Sequence, residues 1–318
     1  MSLTAVPYRP DRRADLFALM EAVWGERPDG EAFDWLFDRT PVRPGLVTLV
    51  EDEGEVAGVG ALSWFRAKVD GVAQPVSAAV WMATHPGHRG KGVFQFVELE
   101  NERIAAEQGD RLVLGFTNPE AGPIYVAKLG WVDVYRPRLW ARPLRPVAAA
   151  KGVLGKAVPT DTGLPAPRGG RRLGRFGPRH EELYRRVSAS WPAHVVRDAD
   201  YLNWRFVDAP KEYRVLERDG GYAVVGHSIY HGVSAGYVAD LVATGAREAL
   251  GLLCAVVAEA RGGADLVVAI PPPGLRPAFA AAGFVPTHLT LRVIGKSLVP
   301  GTAVPGDWYF ALGDTDIF

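Results

Sequence analysis

Hydrophobic and polar positions repeat the same order of patterns in the two halves of the chain. Each half has a short aromatic stretch with helical spacing, followed by two strand-like apolar runs that meet at an acidic turn ending in glycine. The turn lies at 51–54 in the first half and at 217–221 in the second. Turns of this composition connect neighbouring strands, so each half is predicted to begin its sheet with an antiparallel hairpin.

The order of elements continues downstream in both halves with a strand, a long helix, a short apolar strand and a small helix. The pattern predicts the first three of these at 77–84, 92–108 and 111–116, and again at 236–244, 247–261 and 265–270. The small helices end at Gly130 and Gly283, because glycine readily adopts the left-handed conformation that stops a helix. A helix that returns between neighbouring strands makes them parallel, whereas the hairpins are antiparallel. The predicted fold class is α/β, with one mixed-sheet unit duplicated in tandem.

Between the two copies lies a stretch rich in Pro, Gly and Ala that shows little periodicity. Such a composition is typical of a solvated connector. We therefore expect a first domain at 1–142, a connector at 143–174 and a second domain at 175–318. The length of 318 residues agrees, because a typical domain has roughly 150.

The charges of the chain cancel, with 36 basic and 36 acidic residues. Basic residues nevertheless concentrate between Arg136 and Arg175, where ten of them stand against Asp161 alone. A solvated connector accounts for this cluster, and binding of an anionic ligand or nucleic acid is the alternative. Because the chain has no global field, we expect neither nucleic acid nor a membrane as a partner.

Apolar runs and cysteine usage bear on where the protein resides. The run 249–258 is among the longest without a charge, and its ten residues are too few to span a membrane, which takes about 20. Residues 1–7 lack the pattern of a secretory signal, so a cytoplasmic protein is expected. Cys254, the one cysteine, lies in the apolar run and is expected to be a buried small hydrophobic residue.

A glycine-containing basic loop follows the predicted strand 77–84. It runs through His85 to Arg89-Gly90-Lys91-Gly92-Val93-Phe94, where the long helix begins. Successive amides in such a turn can point inward, and a helix N-terminus carries a partial positive charge, so the loop can hold a pyrophosphate. Arg89 and Lys91 would add positive charge. A basic solvated turn that caps a helix has the same composition, and the loop matches neither the Walker nor the dinucleotide-binding pattern.

A second motif follows, in which Asn118, Ala121 and Tyr125 precede Lys128-Leu129-Gly130-Trp131. Together with the glycine loop, this spacing resembles the GCN5-related N-acetyltransferases (GNAT). That family has a pyrophosphate loop of the form R/Q-x-x-G-x-G/A and a later helix with N-x-x-A-x-x-x-Y. This chain departs at Phe94, where the family has Gly or Ala, so the side chain there must turn away from the phosphates.

The resemblance implies acetyl-CoA as cosubstrate and a mechanism of direct transfer to an amine, with no metal needed. It implies cofactor contacts from the following residues: Trp81, Met82, Ala83, Thr84, Arg89, Gly90, Lys91, Gly92, Val93, Phe94 and Asn118. Asn118 would bond the amide arm of the cofactor, and Tyr125 would be the acid that protonates the departing thiolate. A turn or capping role for Asn118 and a packed core position for Tyr125 are the alternatives.

The general base stays open at this point. His85 has a suitable intrinsic pKa but is typical of a solvated turn residue. Glu21 and Glu26 lie near the end of the first helix, where the family builds its acceptor site, and a surface role is the alternative for both. The carboxylates of Asp314 and Asp316 follow a strand-like segment and would serve if that segment docks near the acceptor; a frayed tail is the alternative.

The tandem arrangement also resembles the enhanced-intracellular-survival acetyltransferases, which pair an intact GNAT fold with an altered one. Here the second copy has Gly245 to Ala249 in place of the basic loop, Pro271 to Gly274 in place of Asn118, and Phe279 near the position of Tyr125. We expect no room for the sterol-carrier-like domain of that class. The predicted function is N-acetylation of a small or medium-sized amine; the alternative is a non-catalytic acyl-CoA-binding module.

Overall fold

The computed structural model describes residues 2–145, 171–172, 174–230 and 232–315. Most of the predicted connector, at 146–170 and 173, lies outside the described residues. The same holds for Asp316 and the two residues after it. What is described is an α/β chain with mixed sheets.

The chain forms two compact units, each built from two stretches of sequence. The described residues of 1–135 and 292–307 make the first unit, and those of 136–291 and 308–318 make the second. This division differs from a split at the predicted connector, because a segment from each half of the chain belongs to the other half's unit.

The first unit has a seven-stranded sheet with helices between its strands. Its helices are α1 (Arg13–Trp24), α2 (Gly30–Phe37), α3 (Val93–Glu107) and α4 (Ala121–Leu129). Its strands are β1 (Leu3–Pro7), β2 (Leu46–Asp52), β3 (Glu55–Val69), β4 (Val72–Thr84), β5 (Leu112–Thr117), β6 (Val132–Tyr135) and β15 (Arg292–Ser297). They lie in the order β1-β2-β3-β4-β5-β15-β6. β4 and β5, which α3 connects, are parallel, and the other neighbours are antiparallel.

The second unit repeats this arrangement. Its helices are α5 (Pro178–Val187), α6 (Ala199–Phe206), α7 (Ala246–Ala260) and α8 (Arg276–Ala281). Its strands are β7 (Arg138–Pro143), β8 (Arg171–Arg172), β9 (Ala193–Val195), β10 (Arg214–Arg218), β11 (Gly221–Tyr230), β12 (Val233–Ala243), β13 (Leu266–Ala269), β14 (Val285–Thr290) and β16 (Trp308–Tyr309). The sheet order is β14-β7-β13-β12-β11-β10-β8, and β9 pairs with β16. β12 and β13 are its parallel pair.

The two sheets match strand for strand once a reciprocal exchange is recognised. β15 lies between β5 and β6 in the first unit, and β7 lies between β13 and β14 in the second. β7 follows β6 along the chain and β15 follows β14, so each copy contributes the strand after its own edge strand to the other copy. The predicted duplication of an α/β unit is confirmed, and neither half of the sequence contains a complete sheet.

The helix ends and the core agree with the sequence pattern, except at Cys254. Gly130 and Gly283 adopt φ of +71° and +81°, which confirms the left-handed ends of both small helices. On α7, Leu252 and Leu253 are fully buried in the core of the second unit. Cys254 is exposed, so the prediction of a buried thiol was wrong. The apolar run forms a helix, whose 3.6-residue period turns one face to solvent even when every side chain on it is small and uncharged.

Candidate functional site

A wedge-shaped opening separates the ends of β4 and β5 in the first unit. The parallel pairing joins Ser77 to Val113 and ends with Ala79 opposite Gly115. β4 continues for five more residues to Thr84, and β5 continues to Thr117. Backbone N–H and C=O groups on the facing edges of the wedge therefore lack the sheet partner that a continued ladder would supply, and can serve a ligand.

The divergence of β4 coincides with a β-bulge at Trp81 and Met82. Val59 pairs with Ala83 and Ala61 pairs with Val80, so two residues of β4 stand opposite Gly60 alone. Trp81 has φ of +51°, a left-handed conformation that side chains other than glycine rarely adopt. A bulge bends its strand and turns local backbone groups in a new direction, which is what a binding edge requires.

An aromatic cluster holds the strained residue in place. The Trp81 ring lies 5.4 Å from Trp24, 5.5 Å from Phe33 and 5.4 Å from Phe37 between ring centroids. Three such tilted or edge-to-face contacts offset a backbone strain of about 1–3 kcal/mol. Trp24 remains 47% exposed, so the cluster also presents an aromatic surface next to the bulge.

The loop between β4 and α3 combines a short 3₁₀ turn with two left-handed glycines. His85 Nδ1 accepts a hydrogen bond of 3.2 Å from Gly87 N, which caps the turn. Gly90 and Gly92 have φ of +78° and +77°, and a Cβ added at either would meet no atom of the described chain within 4 Å. Only glycine adopts this conformation without strain, and open space borders both residues.

The N-terminus of α3 has unbonded amides. Its first intrahelical bond runs from Phe96 N to Gly92 O at 3.0 Å, so the three amides from Val93 to Gln95 have no acceptor within the helix. With the glycines before them, these N–H groups form a concave set of donors suited to a phosphate oxygen.

The two basic residues of the loop have different surroundings. Lys91 Nζ donates to Asp52 Oδ2 at 3.3 Å, and His88 Nδ1 lies 3.2 Å from the same oxygen. Burial by itself would raise the pKa of Asp52, but Lys91 and His88 together bring that pKa below its usual value. Lys91 thus ties the loop to the end of β2, whereas Arg89 is exposed. The sequence pattern treated both side chains as phosphate ligands, and it missed Asp52.

Phe94, the departure from the family pattern, places its ring in the core. The ring packs nearly perpendicular to Tyr125, with centroids 5.0 Å apart. The bulky side chain is therefore turned into the hydrophobic cluster between α3 and α4, and its amide stays in the set of helix N-terminal donors.

Asn118 caps α4. Its Oδ1 accepts hydrogen bonds from Glu120 N at 3.1 Å and Ala121 N at 2.7 Å. The side chain is exposed, so the amide NH₂ can donate to a ligand while the carbonyl oxygen caps the helix. Thr117 at the end of β5 carries a buried Oγ1 with no hydrogen-bond partner among the described residues.

Tyr125 is buried on α4. It is 4% exposed, and its ring lies 4.6 Å from Trp131 as well as against Phe94. Its Oη donates to Glu98 Oε2 at 3.5 Å. The structure thus brings Tyr125 and Phe94 together beside the N-terminal part of α3, with the carboxyl group of Glu98 next to the phenol of Tyr125.

Glu98 and Glu102 were not singled out from the sequence, yet both are buried on α3. Burial, followed by repulsion from Glu102, raises the pKa of Glu98 to about 8. Glu102 accepts from Trp131 Nε1 at 2.7 Å and from Lys296 Nζ at 2.5 Å, so it has the cation that Glu98 lacks in direct contact. A signal was present: Glu98 lies four residues after Phe94 and one after Val97, on the apolar stripe of the helix.

The candidate bases are placed as follows. Glu21 and Glu26 are exposed, and Glu21 lies 3.6 Å from Arg27. The carboxylate of Asp314 is buried, accepting from Arg197 Nη2 at 2.7 Å and Tyr201 Oη at 2.8 Å. Asp316 lies outside the described residues, and His85 caps its turn.

Comparisons with known proteins agree with this fold. Residues 6–132 match the family model described as an acetyltransferase (GNAT) domain. A GCN5-related N-acetyltransferase from Anabaena variabilis is 14% identical with a TM-score of 0.65, and the match covers 94% of this chain and 73% of that one. Eis1 from Mycobacterium abscessus is 14% identical with a TM-score of 0.59, covering 93% and 74%. A Saccharomyces cerevisiae N-myristoyltransferase with bound myristoyl-CoA is 13% identical with a TM-score of 0.62, covering 93% and 79%.

No curated protein sequence matches this chain. At these identities the solved structures show the fold, which extends over both units. Within the described residues, no group of three or more His, Cys, Asp or Glu side chains is arranged to hold a metal ion. None of the helices in the described ranges is long and apolar enough to cross a membrane.

Proposed function

We propose that this chain is an N-acetyltransferase of the GNAT superfamily that transfers the acetyl group of acetyl-CoA directly to the primary amine of a small or medium-sized acceptor. One observation carries the proposal: the wedge between β4 and β5 and the glycine loop at the start of α3 belong to the same unit and follow each other in the chain. The first offers an edge of backbone donors and acceptors, and the second offers amides suited to a diphosphate.

The residues present fit a coenzyme A thioester. In the proposal, the backbone of Trp81 to Thr84 bonds the pantetheine arm along the edge of the wedge. The amides of Gly90 and residues 92–94 and the guanidinium of Arg89 hold the diphosphate, and Asn118 Nδ2 donates to an amide oxygen of the arm. Open space beside Gly90 and Gly92 supports this fit, because beyond the adjacent residues no atom of the described protein lies within 4 Å of the point where a Cβ would stand.

The proposal assigns two roles to the chain: stabilising the charge that develops on the acyl oxygen, and donating a proton to the leaving sulfur. Bound acetyl-CoA supplies an activated thioester, whose sulfur leaves as a thiolate after the amine attacks. In the proposal, backbone N–H groups beyond the bulge stabilise the negative charge that develops on the acyl oxygen. Tyr125 Oη gives its proton to the leaving sulfur, a contribution of about 10²- to 10⁴-fold for a well-placed acid.

A non-catalytic acyl-CoA-binding module is the second candidate. The observation that favours it is the burial of Tyr125, whose hydroxyl bonds to Glu98. Both candidates require the cradle, and only the enzyme requires the phenol. The acyl chain is a further variable, since the yeast enzyme with the same fold holds a myristoyl-CoA.

The test measures coenzyme A release over a panel of amines, together with coenzyme A affinity by calorimetry. We expect turnover on at least one amine. Tyr125→Phe should lower kcat about 10²- to 10⁴-fold while coenzyme A affinity stays the same. Tyr135→Phe, on β6 of the same unit, is the matched control and should leave kcat unchanged. Binding without turnover on every amine would make the module the correct description.

A further inference from the structure

The side chain of Glu98 is an unusual feature of α3, because it is fully buried and no Lys or Arg in the described part of the chain forms an ion pair with it. Its Oε2 lies 3.5 Å from Tyr125 Oη, and its Oε1 has no hydrogen-bond partner among the described residues. A buried carboxyl that is only half satisfied costs stability, so a sequence selected for stability alone would place an apolar side chain there.

The charged and titratable groups around Glu98 come from three elements. Glu102 follows it by one turn on α3, Tyr125 faces it from α4, and Lys296 faces the pair from β15. Lys296 bonds to Glu102, so the negative charge of Glu102 is balanced in place. Burial and the proximity of Glu102 raise the pKa of Glu98 to about 8, so the carboxyl keeps its proton at neutral pH.

We infer that Glu98 is a positioning residue for Tyr125: its carboxyl O–H donates to the phenol oxygen, turns the phenol hydrogen outward, and afterwards replaces the proton that Tyr125 gives away. This inference rests on the proposed acyl transfer. Because both groups carry a proton, the 3.5 Å contact accommodates donation in either direction.

The protons are transferred in sequence. The Tyr125 Oη–H bond breaks as an S–H bond forms on the leaving thiolate, and the phenol becomes a phenolate. The carboxyl O–H of Glu98 then breaks as the phenol O–H is restored, which leaves a carboxylate at Glu98. The attacking amine releases its proton to water, and Glu98 takes one proton from water before the next turnover, so the protons balance. An ordinary phenol has a pKa near 10, so the second transfer from a group of pKa about 8 is favourable by about 100-fold.

The first experiment needs no turnover. Protein labelled with ¹³C at the glutamate carboxyl carbons is titrated by NMR as wild type, Glu98→Gln and Tyr125→Phe. We expect one carboxyl that titrates near pH 8, is missing in Glu98→Gln, and titrates at higher pH in Tyr125→Phe, because the phenol donates its hydrogen bond to Glu98 once that carboxyl is ionised and so lowers its pKa. Glu107→Gln, at the exposed end of the same helix, is the matched control and should leave this signal unchanged.

The second experiment is the pH profile of kcat. Wild-type kcat should fall above about pH 8, and Glu98→Gln should lose this limb and turn over about 10- to 100-fold more slowly with unchanged coenzyme A affinity. Three outcomes would overturn the inference. The Glu98 carboxyl could titrate near the ordinary pH of about 4, its titration could be the same in Tyr125→Phe as in wild type, or kcat of Glu98→Gln could still fall above about pH 8. If the titration is as expected and no amine is acetylated, the proposed acetyl transfer is wrong, and so is the return of a proton from Glu98 to Tyr125. The hydrogen bond between Glu98 and Tyr125 would still be supported.

Discussion

The two units share a scaffold and differ in the groups that a reaction would use. β4 and β12 each carry a bulge. The parallel pairing of β4 with β5, and that of β12 with β13, ends after three residue pairs. The loops that follow differ. Gly92 is left-handed at φ +77° before α3, whereas Gly245 is extended at φ −172° before α7. The bent strand and the wedge therefore belong to the fold, and the anion cradle is an addition that needs particular glycines.

The later helices differ as well. Phe279 in the second unit is fully buried and has no hydroxyl, where the first unit has Tyr125. The buried carboxyl of Glu259 on α7 is paired with Arg214 at 2.7 Å, whereas no Lys or Arg of the described residues forms an ion pair with Glu98 on α3. The second unit also has a cavity of about 740 Å³ lined in part by Gly245 and Gly274. The second unit therefore has open space beside the loop before α7, but not the phenol beside a buried acid that the first unit has.

Breaking the buried ion cluster of the second unit should have the largest effect on stability. Arg197 is fully buried and donates to Asp240 at 2.9 Å and to Asp314 at 2.7 Å. Arg197→Met leaves two buried carboxylates without their cation, so we expect a loss of about 3–5 kcal/mol in urea unfolding. The exposed pair of Arg179 and Glu217 is the control, and Arg179→Met should cost less than about 1 kcal/mol. Equal losses would contradict this account.

Replacing Glu98, the buried acid of the first unit, should have the opposite effect on stability and should stabilise the protein as the pH rises. Because folding raises the pKa of Glu98 from an ordinary 4.5 to about 8, its contribution is fully present below pH 4.5 and is lost as the pH rises toward and through 8. Glu98→Gln should remove this loss. Its free energy of unfolding in urea should therefore increase relative to that of wild type as the pH rises, by at most about 1.4 kcal/mol per pH unit. Glu259→Gln should instead lose stability at every pH in this range, since it removes the buried ion pair with Arg214. Parallel pH curves for wild type and Glu98→Gln would refute the assignment.

Substituting the glycines before the two long helices tests the difference in the cradle. Gly92→Val forces a β-branched residue into the left-handed region, at a cost of about 1–2 kcal/mol, and should weaken coenzyme A binding at least about tenfold. Gly245→Ala should leave coenzyme A affinity and stability nearly unchanged, because its backbone is extended and the nearest atom to a new Cβ is the flexible end of Glu248. Calorimetry on both variants checks this; an equal effect would mean that the cradle is not the binding site.

The smallest effects should separate the two cations of the loop. Arg89 is exposed, and Lys91 is tied to Asp52. We expect Arg89→Met to weaken coenzyme A binding about three- to tenfold with a reduced salt dependence, and Lys91→Met to weaken it less. Lys91→Met should also raise the pKa of Asp52 and so remove the stabilisation that the lowered pKa provides, and the Tm of the variant should therefore fall less than that of wild type as the pH is lowered through the acidic range. A larger loss of binding from Lys91→Met would reverse the assigned roles.

Much of the fold was predictable because local patterns determine it. The repeated order of elements, the parallel pairs and the ends of the small helices at Gly130 and Gly283 depend on short-range periodicity and backbone preference. The exchange of β7 and β15 was not predictable. Each strand follows the edge strand of its own copy, and the two sheets offer equivalent gaps, so no local pattern states which gap is filled.

The candidate site divides in the same way. The loop from Arg89 to Phe94 stands out because glycine and cations are marked in the sequence itself. The roles of Asp52 and Glu98 do not stand out, since each depends on a partner that the fold brings from another element. Cys254 shows the converse error: an apolar run indicates a core segment, but the face of a helix that meets solvent is set by what packs against it.

By itself the sequence determined two copies of a mixed α/β unit and the two glycines, Gly90 and Gly92, that mark the basic loop of the first copy. Those features reside in the conformational preferences of consecutive residues. The tertiary structure alone decided which strands complete each sheet, that Trp81 takes a left-handed bulge inside an aromatic cluster, and that Glu98 is buried beside Tyr125 and near Glu102, where burial and Glu102 raise its pKa. Pairing and pKa depend on which groups meet in a low-dielectric interior, and the folded chain brings those groups together from distant positions.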